Sequence, residues 1–271
     1  MNPLPRWDAL LQSVLFAPLH PLIVTLRQEG FPTLDDLNRM LAVHQPSVAS
    51  GCKLSFVAQG AGRLAFESQY EPRCYLTGEV QTRQDNWHDL LNALVWLTYP
   101  NAKAAINVRH FQALTQGGLA DESTSQRGAV RDTSTLFDES GVIVACADEE
   151  LAGLLQNFRW RELFWQRRQA VRERMGFYIF GHGLYEKALQ PYIGMTGQGL
   201  LLPVAQEFFR WTAEQQRAHL DRRLADYLAG ACRTTRELSP VPLLGVPGWS
   251  ADNESESYYD NTAYFRPGRQ R

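Results

Sequence analysis

The chain has 271 residues, of which 44% are hydrophobic and 21% charged, and 27 basic against 29 acidic side chains leave a net charge of −2. Such values describe a globular chain with a sizeable core, and the near balance of charge gives no global field to draw in DNA, RNA or anionic lipid. No stretch approaches the roughly 20 apolar residues that span a bilayer, and the N-terminal segment, interrupted by Arg6, Asp8, Gln12 and His20, lacks the basic leader and clean apolar run of a secretory signal.

Trp7, Leu10, Leu11, Val14 and Leu15 recur at helical spacing and predict a first helix with one face toward the core. Thr33 before Leu34-Asp35-Asp36 reads as an N-cap followed by acids that complement the helix dipole, opening a helix that runs to Val43. Residues 53–58 and 63–68 alternate around Gly60-Ala61-Gly62, the pattern of a hairpin. Residues 75–80 add a strand or a loop over the site. Asp85 or Asn86 caps a helix over 87–98, Pro100 separates it from a second over 101–114, and the Gly-, Ser- and Thr-rich stretch 115–127 reads as a loop. TSTLF and GVIVAC flank Asp138-Glu139-Ser140-Gly141, which predicts a second hairpin with positive φ at Gly141 and a structural role for the two acids. Helices over 148–174, 177–189 and 206–228 follow. Beyond Arg233 the chain turns to Pro, Gly and Tyr but keeps Trp249, Tyr258, Tyr259, Tyr264 and Phe265. A disordered tail is depleted in aromatics, so 233–271 is predicted to lie extended over a core formed by 1–232. The sum is one mainly helical α+β domain with short β-hairpins.

Four blocks stand out: TGEVQTRQDNWHDLLNALVWLTYPNAKAAINVRH, RDTSTLFDESGVIV, FGHGLYEKALQPYIGMTG, and the closing LGVPGW with FRP. Together they resemble a bacterial family known as Domain of Unknown Function 3025. The resemblance covers most of the chain from residue 70 onward and implies a bacterial, soluble, cytoplasmic protein. It transfers no activity. The four cysteines, Cys52, Cys74, Cys146 and Cys232, form no CxxC or Cys/His cluster and read as reduced thiols, which suits a cytoplasmic setting.

Polar side chains cost free energy when buried without partners, so the polar density of 86–110 needs a reason. His88 and Asn92 share a helical face, which suits an imidazole placed for proton transfer or metal binding with Asn92 orienting it; Asp89 either orients or complements the dipole. Lys103, Asn107 and His110 form one stripe, either the lip of an anion site or a solvated helix face. Arg127 and Arg131 could extend an anion site with their rigid forks, and Asp132 could act as ligand or base. His182 and Glu186 lie one turn apart, spaced to hold one metal or to act as base and orienter, or to hydrogen-bond each other in a core. Between Phe158 and Arg168 aromatics alternate with arginines, a pattern that suits single-stranded nucleic acid but equally an amphipathic helix with snorkelling arginines; nearby acids favour the second. Dinucleotide and phosphate loops, a GxSxG elbow and HExxH are all missing.

The expectation is an enzyme in which His88, Asp89, Asn92, His110, Asp132, His182 and Glu186 converge on one pocket beside Lys103, Asn107, Arg127 and Arg131. It would act on a small anionic molecule by hydrolysis or group transfer, with or without a divalent metal held by His88, His182 and Glu186. The alternative is a non-catalytic module for a nucleotide, nucleic acid or partner protein.

Overall fold

A strand covered on both faces reads as an unbroken apolar run rather than an alternation, and GVIVAC seats such a strand at the centre of the molecule, every residue of it buried. The computed structural model describes residues 4–27, 29–60, 65–115, 123–230, 232 and 234–268. Helices and turns wrap the small sheet built on that strand.

The predicted first helix is instead α1 (Trp7–Gln12), a 3-10 turn and α2 (His20–Leu26). Pro18 and Pro21, which lack amide donors, prevent one continuous helix. In α3 (Leu34–His44) the expected cap forms fully: Thr33 and Asp36 bond reciprocally as a capping box.

The first predicted hairpin is not formed. β1 (Ser55–Ala58) pairs in parallel with β2 (Glu79–Thr82), and α4 (Tyr70–Thr77) makes the crossover. Of the expected turn Gly60-Ala61-Gly62, residues 61 and 62 lie outside the described residues, as do 63 and 64 of the expected second strand, and Phe66–Ser68 is a 3-10 turn. Gly78 ends α4 with φ +76°, a conformation that favours glycine.

Next come α5 (Trp87–Thr98) and α6 (Pro100–Thr115), close to expectation. α7 (Ser123–Ser140) then runs directly into β3 (Gly141–Cys146), so the second predicted hairpin is also absent. The Thr/Ser-rich segment is accommodated in the helix, Thr133 and Ser134 satisfying their hydroxyls on the carbonyls of Ala129 and Val130, and the full burial of Phe137 anchors it to the core. Gly141 does not adopt positive φ. Glycine is required there because a Cβ would strike the Phe137 carbonyl and approach its ring to 2.9 Å.

The predicted helix over 148–174 is divided into α8 (Glu149–Gln156), a π turn over Glu162–Gln166 and α9 (Arg168–Arg174), the break coming at Phe158 with φ +59°. The one over 177–189 is half strand: β4 (Met175–Ile179) alternates buried and partly buried residues before α10 (His182–Ala188) begins. β5 (Thr196–Pro203), α11 (Ala213–Gly230) and β6 (Ser239–Pro242) complete the order. The sheet runs β4-β3-β5-β6, antiparallel between β3 and β4, parallel between β3 and β5, and antiparallel between β5 and β6.

After β6 the chain lies over the body in short turns, as its aromatics imply. Tyr264 donates its hydroxyl to Met195 O at 2.9 Å, Trp160 donates Nε1 to Arg266 O at 2.8 Å, and fully buried Asn253 donates to the carbonyls of Leu244 and Val246. The fold is mainly helical α+β, and it gathers the starts of α5 and α10, the end of α7, and the facing sides of α4 and α6 around one cleft.

Candidate active site

The first turn of α5 is fixed from both ends. Asn86 Oδ1 accepts the Asp89 amide at 3.0 Å, and the Asp89 carboxylate accepts the Arg83 amide at 2.7 Å and its guanidinium at 2.8 and 2.9 Å. Burial opposes the Asp89 charge, but the bonds from Arg83 outweigh it and hold the carboxyl below its ordinary range. His88 is thereby presented to α10, where Glu186 Oε2 lies 2.9 Å from its Nδ1.

His182 is the first residue of α10, set there by the extended N-cap Gly181. A Cβ at Gly181 would lie 2.6 Å from the Glu139 carbonyl, and one at Gly183 would overlap the Glu139 carboxylate. The two glycines therefore let the end of α7 press against the start of α10. As a result Glu139 Oε1 lies 3.4 Å from His182 Nε2, which in turn lies 3.2 Å from His88 Nε2. The hydrogen bond from His182 lowers the Glu139 carboxyl below its usual range.

Behind them Lys103 is only 2% exposed; its Nζ donates to both oxygens of Asp138, at 2.6 and 2.8 Å, and to Asn92 Oδ1 at 2.9 Å. Burial works against the charge on Asp138, yet Lys103 and His182 keep its carboxyl below the ordinary range. Asn92 passes the polarity on by donating Nδ2 to the Tyr70 hydroxyl at 2.7 Å. On the facing wall Glu71 Oε1 lies 2.8 Å from His110 Nδ1, and Glu71 also accepts from Asn107 Nδ2. These groups surround a cleft of about 350 Å³ lined by Tyr70, Glu71, Gln81, Arg83, His88, Asp89, Asn92, His110, Thr135, Asp138, Glu139 and His182, with Gln59 at its edge.

Of the residues expected at one pocket, His88, Asp89, Asn92, His110 and His182 line this cleft, and Glu186 adjoins it through His88. Lys103 and Asn107 require correction. They form neither an open lip nor a solvated stripe but are buried, bound to Asp138 and Glu71, because a charge withdrawn from water needs an opposite partner. Arg131 and Asp132 sit exposed on α7 and outside the cleft lining; they share the side of the helix that carries Thr135 but lie a turn nearer its N-terminus, beyond the reach of the cleft. The Arg127 side chain lies outside the described residues.

Sequence reasoning missed Glu139 and Asp138, read there as turn residues, and also Glu71, Tyr70 and Thr135. The available signal was helical: Thr135, Asp138 and Glu139 fall at i, i+3 and i+4 and share a face. The arginines between Phe158 and Arg168 form no free basic track. Arg159 pairs with Glu162, Arg161 with Glu256 and Asp260, Arg167 with Glu150, and Arg168 with Glu254. Trp160 and Phe164 are core residues.

Residues 54–269 match the family described as Protein of unknown function (DUF3025), and the chain belongs to that family. No curated protein and no solved structure matches it.

Proposed function

We propose that the chain is a small-molecule enzyme that carries out hydrolysis or group transfer in this cleft, in the bacterial cytoplasm. The observation that carries the reading is the Glu71–His110 pair. With the Nδ1 proton directed to Glu71, Nε2 is left as the basic nitrogen on the cleft side. Thr135 Oγ1, at 3.4 Å, does not neutralise that nitrogen, because its single proton goes to the Arg131 carbonyl at 3.0 Å. A carboxylate-oriented imidazole can take a proton from water or from a hydroxyl nucleophile.

A donor for the developing charge shares the cleft. Lys103 donates to Asn92 Oδ1, which turns Asn92 Nδ2 toward the Tyr70 oxygen. Tyr70 accepts there, and no described residue takes its proton, so the O–H is available to a substrate oxygen. Burial raises the Tyr70 hydroxyl well above its ordinary value, so it stays protonated and can act as an oxyanion-type donor.

The side chains also bound the substrate. Four carboxylates line the cleft, while Lys103 and Arg83 are each bound to one of them. An anionic group would therefore need a cation that these side chains do not supply. A small uncharged ester or amide suits a cleft of about 350 Å³. In support of the cytoplasmic setting, all four cysteines are free thiols, and no described helix is long and apolar enough to cross a membrane.

The test is turnover of a panel of chromogenic small esters, amides and phosphoesters, with and without added divalent metals. Activity should fall about 10²–10⁴-fold in His110→Ala and about 10²–10³-fold in Tyr70→Phe, chiefly in kcat. No turnover across the panel, or full activity in His110→Ala, would overturn the assignment.

A further inference from the structure

We infer that His88, His182 and Glu139 form a binding site for one divalent transition-metal ion. The first argument is convergence. One ligand atom from each residue lies within 4.8 Å of the other two, and among the described residues this is the one such group of histidine, cysteine and carboxylate ligands. Metal–nitrogen and metal–oxygen bonds of about 2.0–2.2 Å place neighbouring ligands of a tetrahedron roughly 3.3–3.6 Å apart. The separations here are 3.2 Å between the two Nε2 atoms, 3.4 Å from His182 Nε2 to Glu139 Oε1, and 4.0 Å from His88 Nε2 to Glu139 Oε1. One ion fits between them with small adjustments of the exposed Glu139 arm.

The second argument is proton accounting. A metal-bound histidine turns one nitrogen to the ion and donates the other N–H to a carboxylate or carbonyl. Both Nε2 atoms point inward here, and both Nδ1 atoms face carboxylates: His88 toward Glu186 at 2.9 Å, His182 toward Asp138 at 3.7 Å. A direct bond between the two Nε2 atoms needs a proton on one of them and leaves the other ring's lone pair as its acceptor. Buried His182, 5% exposed, also keeps an Nδ1 atom with no hydrogen-bond partner. A cation between the rings uses both Nε2 lone pairs and sets both Nδ1–H groups toward their carboxylates. One requirement then accounts for all four ring nitrogens.

Two imidazoles and a carboxylate select the zinc, iron or manganese class over magnesium and calcium, which favour all-oxygen shells. The site is also open on one side: the His88 and Glu139 side chains are 34% and 45% exposed, against 6% for His182. Three protein ligands with an open position are the arrangement of a catalytic rather than a structural centre. The ion would supply the positive charge that Lys103 and Arg83 have committed elsewhere, and would accept a carbonyl, carboxylate or phosphoryl oxygen at its open position. Only this last step rests on the hydrolytic reading above.

The experiment is calorimetric titration of chelator-stripped full-length protein with Zn²⁺ alone, repeated with excess Mg²⁺, with folding checked by circular dichroism. The wild type should bind one equivalent, unaffected by Mg²⁺. Glu139→Gln, at a half-exposed position where folding is not at stake, and His182→Ala should each lose at least about tenfold in affinity; Glu186→Gln should lose about 10–100-fold through its bond to His88. His110→Ala, in the same cleft but outside the cluster, should bind as the wild type does. A folded wild type that binds no zinc overturns the site, as does wild-type affinity in Glu139→Gln or an equal loss in His110→Ala. Because binding is read without turnover, failure of the metal site and failure of the Glu71–His110 mechanism are separable results.

Discussion

Replacing Lys103 by Met removes a charge from the most demanding position in the molecule while preserving most of the side-chain volume. Lys103 is 2% exposed and its ammonium makes three hydrogen bonds, two to Asp138 and one to Asn92. Its loss leaves the Asp138 carboxylate, whose side chain is 15% exposed, without its counter-charge. Breaking a buried pair from one side costs about 3–5 kcal/mol, because the remaining ion has neither water nor a partner. At roughly 2–4 °C per kcal/mol for a chain of this size, the melting temperature should fall by about 6–20 °C. Removing both partners in Lys103→Met/Asp138→Leu should recover most of that loss, since an apolar pair carries no desolvation penalty. Urea melts of the wild type, both single variants and the double variant close the cycle, provided the m-value is unchanged. A Lys103→Met cost below about 1 kcal/mol, or a double variant that pays the full sum of the singles, would refute the view that this pair is buried and coupled.

Other consequences follow from neighbouring residues. In Gly183→Ala the new methyl would overlap the far end of the Glu139 side chain, which can swing away, and would lie 3.1 Å from the Glu139 main-chain carbonyl, a tight contact relieved by a shift of a few tenths of an ångström. The helix-propensity gain of about 1 kcal/mol offsets that cost, so stability should change little while zinc affinity falls, and an unchanged affinity would show that Glu139 is not held where it ligates. Gly141→Ala should behave oppositely, losing stability, because its methyl meets the Phe137 main-chain carbonyl, which cannot move without unwinding α7. Asp221→Asn tests a separate buried acid. Burial raises its carboxyl above the usual range despite the amides of Asn101 and Ala102, so the native state binds that proton more tightly than the unfolded chain. The wild type should therefore lose stability relative to Asp221→Asn as pH rises from about 4 through the raised value, and melts showing the reverse trend would sink the assignment.

The sequence was most readable where local chemistry and tertiary context agree. Thr33 with Asp36, and Asn86 before Trp87, carry the whole signal for a helix start in a few residues, and both caps form. The GVIVAC strand is equally plain. Two segments misled for different physical reasons. Around Asp138-Glu139-Ser140-Gly141, turn residues occupy the last turn of a helix, because the space left by Gly141 is needed for close approach and not for positive φ. Around Phe177, an apolar segment that suits either a helix or a strand is drawn into the sheet by pairing with β3, Phe177 itself lying opposite Val144, far from it in the chain. The site suffered from the first error. Reading Glu139 as a turn residue removed from consideration the one carboxylate among the described residues that reaches both His88 and His182, and Glu186 took its place as the expected ligand.

Buried polar residues that only hold a fold together have their hydrogen bonds closed. Asn253 donates to two carbonyls and accepts from Arg168, and Asp221 accepts from the start of α6 at three points; neither has reason to meet a ligand. The cleft differs. Gln81 Nε2 and His182 Nδ1 on its lining, and Asn107 Oδ1 just behind Glu71, are buried without partners. Orphans also occur elsewhere, at the Tyr99 hydroxyl, the Trp96 indole, the Nε atoms of Arg109 and Arg167 and the Tyr258 hydroxyl, but none of those residues is on the cleft lining. Around the cleft a donor, an acceptor and an imidazole nitrogen lie within one connected polar region, next to two histidines turned toward the same point. Crosslinking helices would require none of these groups to remain open. A site that accepts a cation and a polar substrate has a use for open groups on its lining, such as Gln81 Nε2 and His182 Nδ1, and that difference is what favours the proposed chemistry over scaffolding for this part of the fold.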